Sequence, residues 1–531
     1  AAAHPVRYTD RMGGQKPHLL VKVDNNLGAT TTVEYTPSTR FYLDDQAAGR
    51  PWITRLSFPG HCVSRVTVED KWRESSFTST YSYHHGYFDG IEREFRGFGR
   101  VEQVDTECFD DPALDQAPVK TVTWYHTGAA LDRQRILSQF ATEYFPAGYA
   151  VTGDFHERAL PEPELPADLS ADEWRQALRA CKGMVLRQEV YELTPNTRQP
   201  KRIFSAAFHN CRIQCLQRQG TNRHAVFLVT ESEALSYHYE LALPAPGTGG
   251  EVTPDPRISH TLNLRHDEYG NIEQALTIGY GRWKAGDYGI LPKPGLIAAV
   301  QNETHIAYAE TRYTKDVFVT AEGDNRPLRH HRLRLPYEAL TYELKGITRT
   351  NEHYYGLEDF RHLHLSDVYG PQPTDTPPPT EIESKAYHEF ADGKALQKRL
   401  VEHARTRYFD DASDTTAPVE AQPFGTLGPR GLKFEDYKLA LTSDLLDAVF
   451  SQTDDDGQID DKLSWEAEPA QVATLAKTVR DLLDAPKIAG YLPGPRIGMP
   501  PGEYWMRSGS ARFAPDAHEH FFLPERYVDP F

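Results

Sequence analysis

Cysteine is scarce in this chain: Cys62, Cys108, Cys181, Cys211 and Cys215 are five thiols among 531 residues. So few, and so scattered, they exclude a disulfide framework, and their odd number fits reduced, buried thiols. Basic charge is also short, with 58 Lys and Arg against 76 Asp and Glu and a net charge of −18. That excludes nucleic acid as the main partner, because phosphate neutralisation needs a basic face. No run approaches the ~20 apolar residues of a membrane-spanning helix, and residues 1–16 lack the apolar stretch of a secretory signal. Nucleophile, phosphate and dinucleotide motifs are missing as well: there is no G-x-S-x-G, no Walker loop and no G-x-G-x-x-G after a strand, so the sequence offers no catalytic residue and no cofactor box.

Aromatic residues and turn chemistry are plentiful. Tyr, Phe and Trp together make up 11% of the chain, many in alternating segments that suit one face of a sheet. HLLVKV and ATTTVEY flank Asn25-Asn26-Leu27-Gly28, whose Asn and Gly supply the positive φ of a hairpin. The same grammar recurs in RVTVED, STYSYHHGYF, FRGFGRVEQV, KTVTWYH, MVLRQEVYEL, HAVFLVT, LSYHYELAL, SHTLNLRHDEYGN, HIAYAETRYT and HRLRLPYEALTYEL. The expected fold is mainly β, an extended antiparallel sheet with inserted helices. A first small helical insertion near residues 170–183 is marked by the capping box Ser170 to Glu173 and by Gly183 as its stop. A Pro-rich linker at residues 371–380 is the clearest boundary, separating residues 1–370 from a mainly helical insertion at 381–503. In that insertion ALQKRLVEHART, FEDYKLALTSDLLDAVF and AQVATLAKTVRDLLD each carry apolar residues at helical spacing. Strand-like sequence returns at residues 504–531.

Four constellations are candidates for chemistry. In the segment from Tyr83 to Arg100, Asp89, Glu92 and Glu94 have the residue type of a glycosidase carboxylate pair, and on one strand Glu92 and Glu94 would lie about 7 Å apart on the same face. Arg93, Arg96 and Arg100 interleave with the acids, and Gly90, Gly97 and Gly99 stand beside Phe95 and Phe98, so an ion-paired sheet with close backbone approaches is the preferred reading. Among 22 histidines, His84-His85, His330-His331 and His362-Leu363-His364 form close sets. The last would place two imidazoles on one strand face, as a metal site requires, but same-face pairs arise often by chance and no metal is expected. Cys211 and Cys215 lack the zinc spacing. Asp454 to Asp461 resembles a calcium loop until aligned on Gly457, which puts Gln452 and Leu463 where Asp and Glu are required; a solvated acidic loop is the expectation.

A degenerate repeat is visible in the turns. Asp267, Gly270 and Asn271 enclose Tyr269 between two strands, Asp24 to Gly28 has related chemistry, and Tyr527-Val528-Asp529-Pro530-Phe531 reads as a cut through such a unit. The string YHHGYFDGIEREFRGFGRVE at residues 83–102 closely resembles the middle region of the B component of bacterial insecticidal Tc toxin complexes, the TcB or TcaC/TcdB-like family. KPHLLVKVDNNLGATTTVEY, RPWITRLSFPGHCVSRVTVED, MVLRQEVYEL, AVFLVTESEALSYHYE, DPRISHTLNLRHDEYGN and FFLPERYVDPF resemble the same family in the same order. The resemblance implies an Rhs/YD-repeat sheet that forms, with a TcC-like partner, a hollow cocoon around a cytotoxic effector, delivered through a TcA-like channel. It implies a secreted, non-enzymatic wall segment that starts downstream of the propeller which docks on TcA. A β-rich module binding glycans at a host surface is the alternative.

Overall fold

The computed structural model describes residues 16, 18–109, 116–145, 157–195, 197–239, 255–283, 293–319, 330–369, 380–413, 416–450, 479, 481–486 and 490–530. They fall into two compact units, residues 1–259 with 280–303, and residues 260–279 with 304–531. Antiparallel strands dominate both.

The first unit is a meander. Strands β1 (Lys22–Asp24), β2 (Ala29–Pro37), β3 (His61–Asp70), β4 (Ser75–Asp89), β5 (Glu94–Phe109), β6 (Val119–Tyr125), β7 (Val185–Leu193), β8 (Pro200–Gln217) and β9 (Val226–His238) each pair with the next in antiparallel register. Asn26 and Gly28 take the positive φ that the first hairpin needs, at 57° and 104°. Helices fill the connections: α1 (Ser38–Ala47), α2 (Arg133–Glu143), α3 (Ala171–Ala180) and α4 (Pro294–Asn302). α2 packs Ile136 and Phe140 against Val122 and Trp124 of β6. α3 begins as its sequence requires: Ser170 accepts from the Glu173 amide, and the Glu173 carboxylate accepts from the Ser170 amide. Its Ala177 and the adjoining Cys181 pack on Cys211 and Ile213 of β8. All five cysteines are free thiols; Cys62, Cys181 and Cys211 are buried, but Cys108 is exposed and Cys215 half-buried, so burial holds for three of them.

In the second unit β10 (Arg257–His266, most of which belongs here) and β11 (Ile272–Gly279) flank the turn at residues 267–271. β11 then pairs with β12 (His305–Tyr313), β12 with β15 (Pro336–Lys345), β15 with β17 (Gln397–Tyr408), β17 with β18 (Lys433–Thr442) and β18 with β20 (Glu503–Arg507), all antiparallel. Short β16 (Glu383–Lys385) runs parallel to β17, and β19 (Leu492–Pro493) lies against β20. Two small hairpins stand apart, β13 (Val317–Val319) with β14 (His330–Arg332) and β21 (Ser510–Arg512) with β22 (Arg526–Val528). Helix α5 (Ser443–Phe450) follows β18 directly.

The helical expectation for residues 381–503 is corrected here. ALQKRLVEHART supplies β17 and FEDYKLALT supplies β18; of these first two segments only SDLLDAVF is helical, as α5, while the described residues 479 and 481–483 of the third are helical. In β18 the buried side chains are Glu435, Tyr437 and Leu439, a period of two. A helix would have had to turn that polar-apolar alternation all round its surface, whereas a strand between β17 and β20 buries it on one face and satisfies every ladder hydrogen bond. The third segment, AQVATLAKTVRDLLD, lies outside the described residues apart from 479 and 481–484, as do the acidic loop at 454–461 and all of the Pro-rich linker but Thr380.

Charge crosses this sheet in register. Arg312 of β12 stands opposite Glu338 of β15, which stands opposite Arg405 of β17. Glu338 is buried, accepts from Arg312 Nη1 at 2.8 Å, pairs with His403 Nε2 at 2.8 Å and lies 3.0 Å from the charge of Arg405 at Nε. Removing the middle charge leaves half-buried Arg405 without this carboxylate and Arg312 with Glu310 alone. Glu338→Ala is therefore expected to lower unfolding free energy by about 3 kcal/mol, measured by urea denaturation; a loss indistinguishable from that of an exposed Glu→Ala control would contradict the ladder.

Candidate functional site

The segment 83–100 is the end of the hairpin formed by β4 and β5, and its tip is held by charge. Asp89 closes β4 and organises the turn: its Oδ1 accepts from the Ile91 and Glu92 amides at 2.9 Å each, while Oδ2 meets Arg96 Nη2 at 2.9 Å. Gly90 opens the turn, and Arg93 closes it at φ 53°. Arg96 is buried, contacts Glu94 at 3.3 Å and donates to the Gly128 carbonyl. Gly97 sits at φ 89°. Gly99 is required by packing, because a Cβ there would come within 2.5 Å of the Phe140 ring on α2. Phe95 and Phe98 stack edge to face, and Phe98 extends the contact to Tyr83 and Trp52.

Glu92 and Glu94 do not share a strand face. Glu92 lies in the turn and Glu94 opens β5, so the expected same-strand carboxylate pair is corrected. Each is taken by α3: Arg175 Nη2 reaches Glu92 at 3.1 Å, Arg179 grips Glu94 with Nε at 2.8 Å and Nη2 at 3.2 Å, and Lys182 adds a contact at 3.0 Å. Residues 175, 179 and 182 recur at helical spacing, so one face of α3 and the turn after it meets the hairpin tip. The Arg179 hydrogen bond, opposed by a smaller effect of burial and reinforced by Lys182, holds the Glu94 carboxyl at about 2. A general acid near neutral pH requires the opposite shift.

Deeper along the same strands, His84 and His85 each meet carboxylates. His84 Nδ1 lies 2.5 Å from Asp45 of α1, which also accepts from Trp52 Nε1 at 2.7 Å. His85 Nε2 lies 2.9 Å from Glu143 of α2, beside Arg100 Nη1 and Trp124 Nε1. Burial would raise the Glu143 carboxyl, but the His85 hydrogen bond and the Arg100 charge outweigh it and hold it at about 2. The other histidine sets form no cluster. His331 stacks on Phe318, and His362 and His364 stand beside an isolated bridge at Leu363 rather than on a strand, with His364 paired to Glu381 at 3.0 Å. Among the described residues no three His, Cys, Asp or Glu side chains converge as a metal site would need.

The turn at 267–271 is locked in a related way. Asp267 Oδ1 accepts from the Tyr269 and Asn271 amides, Oδ2 accepts from Asn271 Nδ2, and Gly270 takes φ 87°. Arg334 then bridges Asp267, Glu268 and Asp316 while lying over the Tyr269 ring, whose hydroxyl donates to Asp316 at 3.0 Å. Both turns use an aspartate to cap backbone amides and an arginine to neutralise it.

Two regions of this chain match known family descriptions: residues 7–128 match the insecticide toxin TcdB middle/N-terminal region, and residues 176–316 match the TcdB middle/C-terminal region. These two regions resemble, in the same order, the middle part of a Tc toxin B component. The locked hairpin tip falls within the first matched region, and α3's Arg179, Lys182 and the 267–271 turn within the second. Solved structures share the fold: a TcdB2-TccC3 crystal structure aligns with TM-score 0.58 and 22% identity over 96% of this chain, and a Photorhabdus luminescens Tc holotoxin pore with TM-score 0.57 and 22% identity over 96%. The chain spans 22% and 21% of those chains. No curated protein matches it.

Sequence reasoning located the acidic hairpin but missed its partners. Glu94 and Arg179 are 85 positions apart, and only the i, i+4 cations on α3 hinted that this helix faces acid. Arg187 was missed entirely: fully buried at 0% exposure, it is gripped by Glu157 and Glu189 at 2.6 Å each and sandwiched by the Tyr144 and Phe208 rings.

Because the Glu94 carboxyl takes its proton near 2 in the folded chain and near its ordinary 4.5 when unfolded, its contribution is complete above that ordinary value and is lost as pH falls toward 2. Glu94→Gln is expected to cost about 1 kcal/mol near neutral pH, discounted for partial exposure. Urea titrations at stepped pH should show the gap between variant and native chain closing on acidification; a gap independent of pH would contradict the clamp.

Proposed function

We propose that this B-component middle region is a wall segment of an Rhs-type cocoon, built with a TcC-like partner, that encloses a cytotoxic effector for delivery through a TcA-like channel. Its role in this reading is structural and extracellular, and the carboxylates at Glu92 and Glu94 hold the wall together rather than act on a substrate. The observation that carries the reading is the ordered pair of TcdB middle-region matches laid over antiparallel meanders whose turns are closed by Asp and Arg. The presence of TccC3 beside TcdB2 in the similar structures supports a TcC-like partner, and the holotoxin pore supports a channel downstream. Paired strands suit a wall because each backbone group is satisfied by its neighbour, leaving side chains to set the character of the two faces.

Electron microscopy of the chain co-expressed with a TcC-like protein tests this. Hollow particles that retain the partner's C-terminal segment inside are expected. A monomer that ignores the partner, and instead binds immobilised glycans, would overturn the reading in favour of a host-surface module.

A further inference from the structure

In a chain with eighteen more acids than bases, one cavity of the first unit is rich in cations. It measures about 450 Å³ and lies beside the hairpin tip, with Ile53, Tyr87, Phe88 and Ile136 as its apolar lining and Arg55, Arg135 and Arg175 as its positive charges. That volume is in the range of ligand pockets. Its two acids are already engaged: Asp89 by Arg96 and two backbone amides, Asp132 by Arg135 at 3.4 Å. The cations are not all answered. The Arg55 guanidinium makes no ion pair or hydrogen bond with any described residue, whereas Arg175 is paired through Nη2 to Glu92 at 3.1 Å and to Asp172 at 3.4 Å. Exposed Arg55 is a positive charge with no counter-charge among the described residues, so the site favours an incoming anion.

The rim decides what kind of anion. Ile91 is 63% exposed and Leu131 86% exposed, and both line the cavity. A small anion would satisfy Arg55 and Arg175 and leave both aliphatic side chains in water. A polypeptide segment that places a carboxylate beside an aliphatic side chain covers the rim and neutralises the cations together. We propose that this cavity is a docking site for an acidic, apolar segment of a partner polypeptide, with a carboxylate facing Arg55 and Arg175 and a neighbouring aliphatic side chain against Ile91 and Leu131. The inference stands on charge and exposure here and does not rest on the cocoon reading.

Fluorescence anisotropy of a labelled peptide of alternating Leu and Glu, titrated with the whole 531-residue chain, tests it. Saturable binding is expected, weakened about tenfold when Gln replaces Glu in the peptide and about tenfold by Arg55→Glu or Leu131→Asp in the chain. Both substituted side chains are exposed, so circular dichroism should be unchanged. Equal binding of the Glu and Gln peptides, indifference to both substitutions, or no saturable binding would each overturn the proposal. Octanoate binding more tightly than the peptide at the same site would also overturn it, in favour of a small-ligand pocket.

Discussion

A charge taken out of water must be met by its opposite, and in these sheets that requirement also sets the register. A strand slipped by one residue turns every side chain to the other face. For an aliphatic strand the penalty is partial, because many positions here are only half-buried. For Arg312, Glu338 and Arg405, opposite one another on three neighbouring strands, a slip of the middle strand would part Glu338 from Arg312, Arg405 and His403 together. Arg187 imposes the same condition on β7 through Glu157, which reaches it from outside the strand. Buried pairs of this kind contribute little net stability against an apolar substitute, but they penalise wrong pairings heavily. In a meander of similar antiparallel strands, that discrimination matters more than the depth of the native minimum.

Turns extend the same logic to where strands reverse. Asp89 and Asp267 each gather backbone amides that the reversal leaves without ladder partners, and each is neutralised by an arginine, Arg96 or Arg334. Arg334 further holds Asp316 well below the usual carboxylate range, chiefly through its hydrogen bond. Asp316 therefore stays ionised in mild acid and keeps its hold on Arg334 and the Tyr269 hydroxyl.

What could be read from the sequence was local. The first hairpin announced itself in Asn26 and Gly28, and α3 in Ser170 and Glu173, because each signal is complete within four residues. Residues 395–406 and 434–442 were misread as helices because their apolar spacing satisfies periods of 3.6 and 2 about equally; what decides between them is the neighbouring strands, which lie far away in sequence. The family was legible through a string of twenty residues at 83–102, whereas the reason those residues occur together was not. Asp89 serves the turn, Gly99 makes room for Phe140, and Glu94 waits for a helix more than seventy residues downstream.

Arg175 joins two features that are otherwise separate. Through Nη2 it holds Glu92 and so helps seat α3 on the hairpin tip; through the rest of its guanidinium it lines the cavity where Ile91 of the same turn is exposed. An anion entering the cavity competes for, or completes, the coordination of that one group. If it completes it, by meeting the buried Nε, seating of the helix and occupation of the cavity reinforce each other; if it draws the guanidinium from Glu92, they oppose. Either way the coupling is reciprocal, because both equilibria pass through the same charge. Arg179 and Lys182 keep their hold on Glu94 in both cases, so the helix remains docked while the strength of its first contact answers to what the cavity holds.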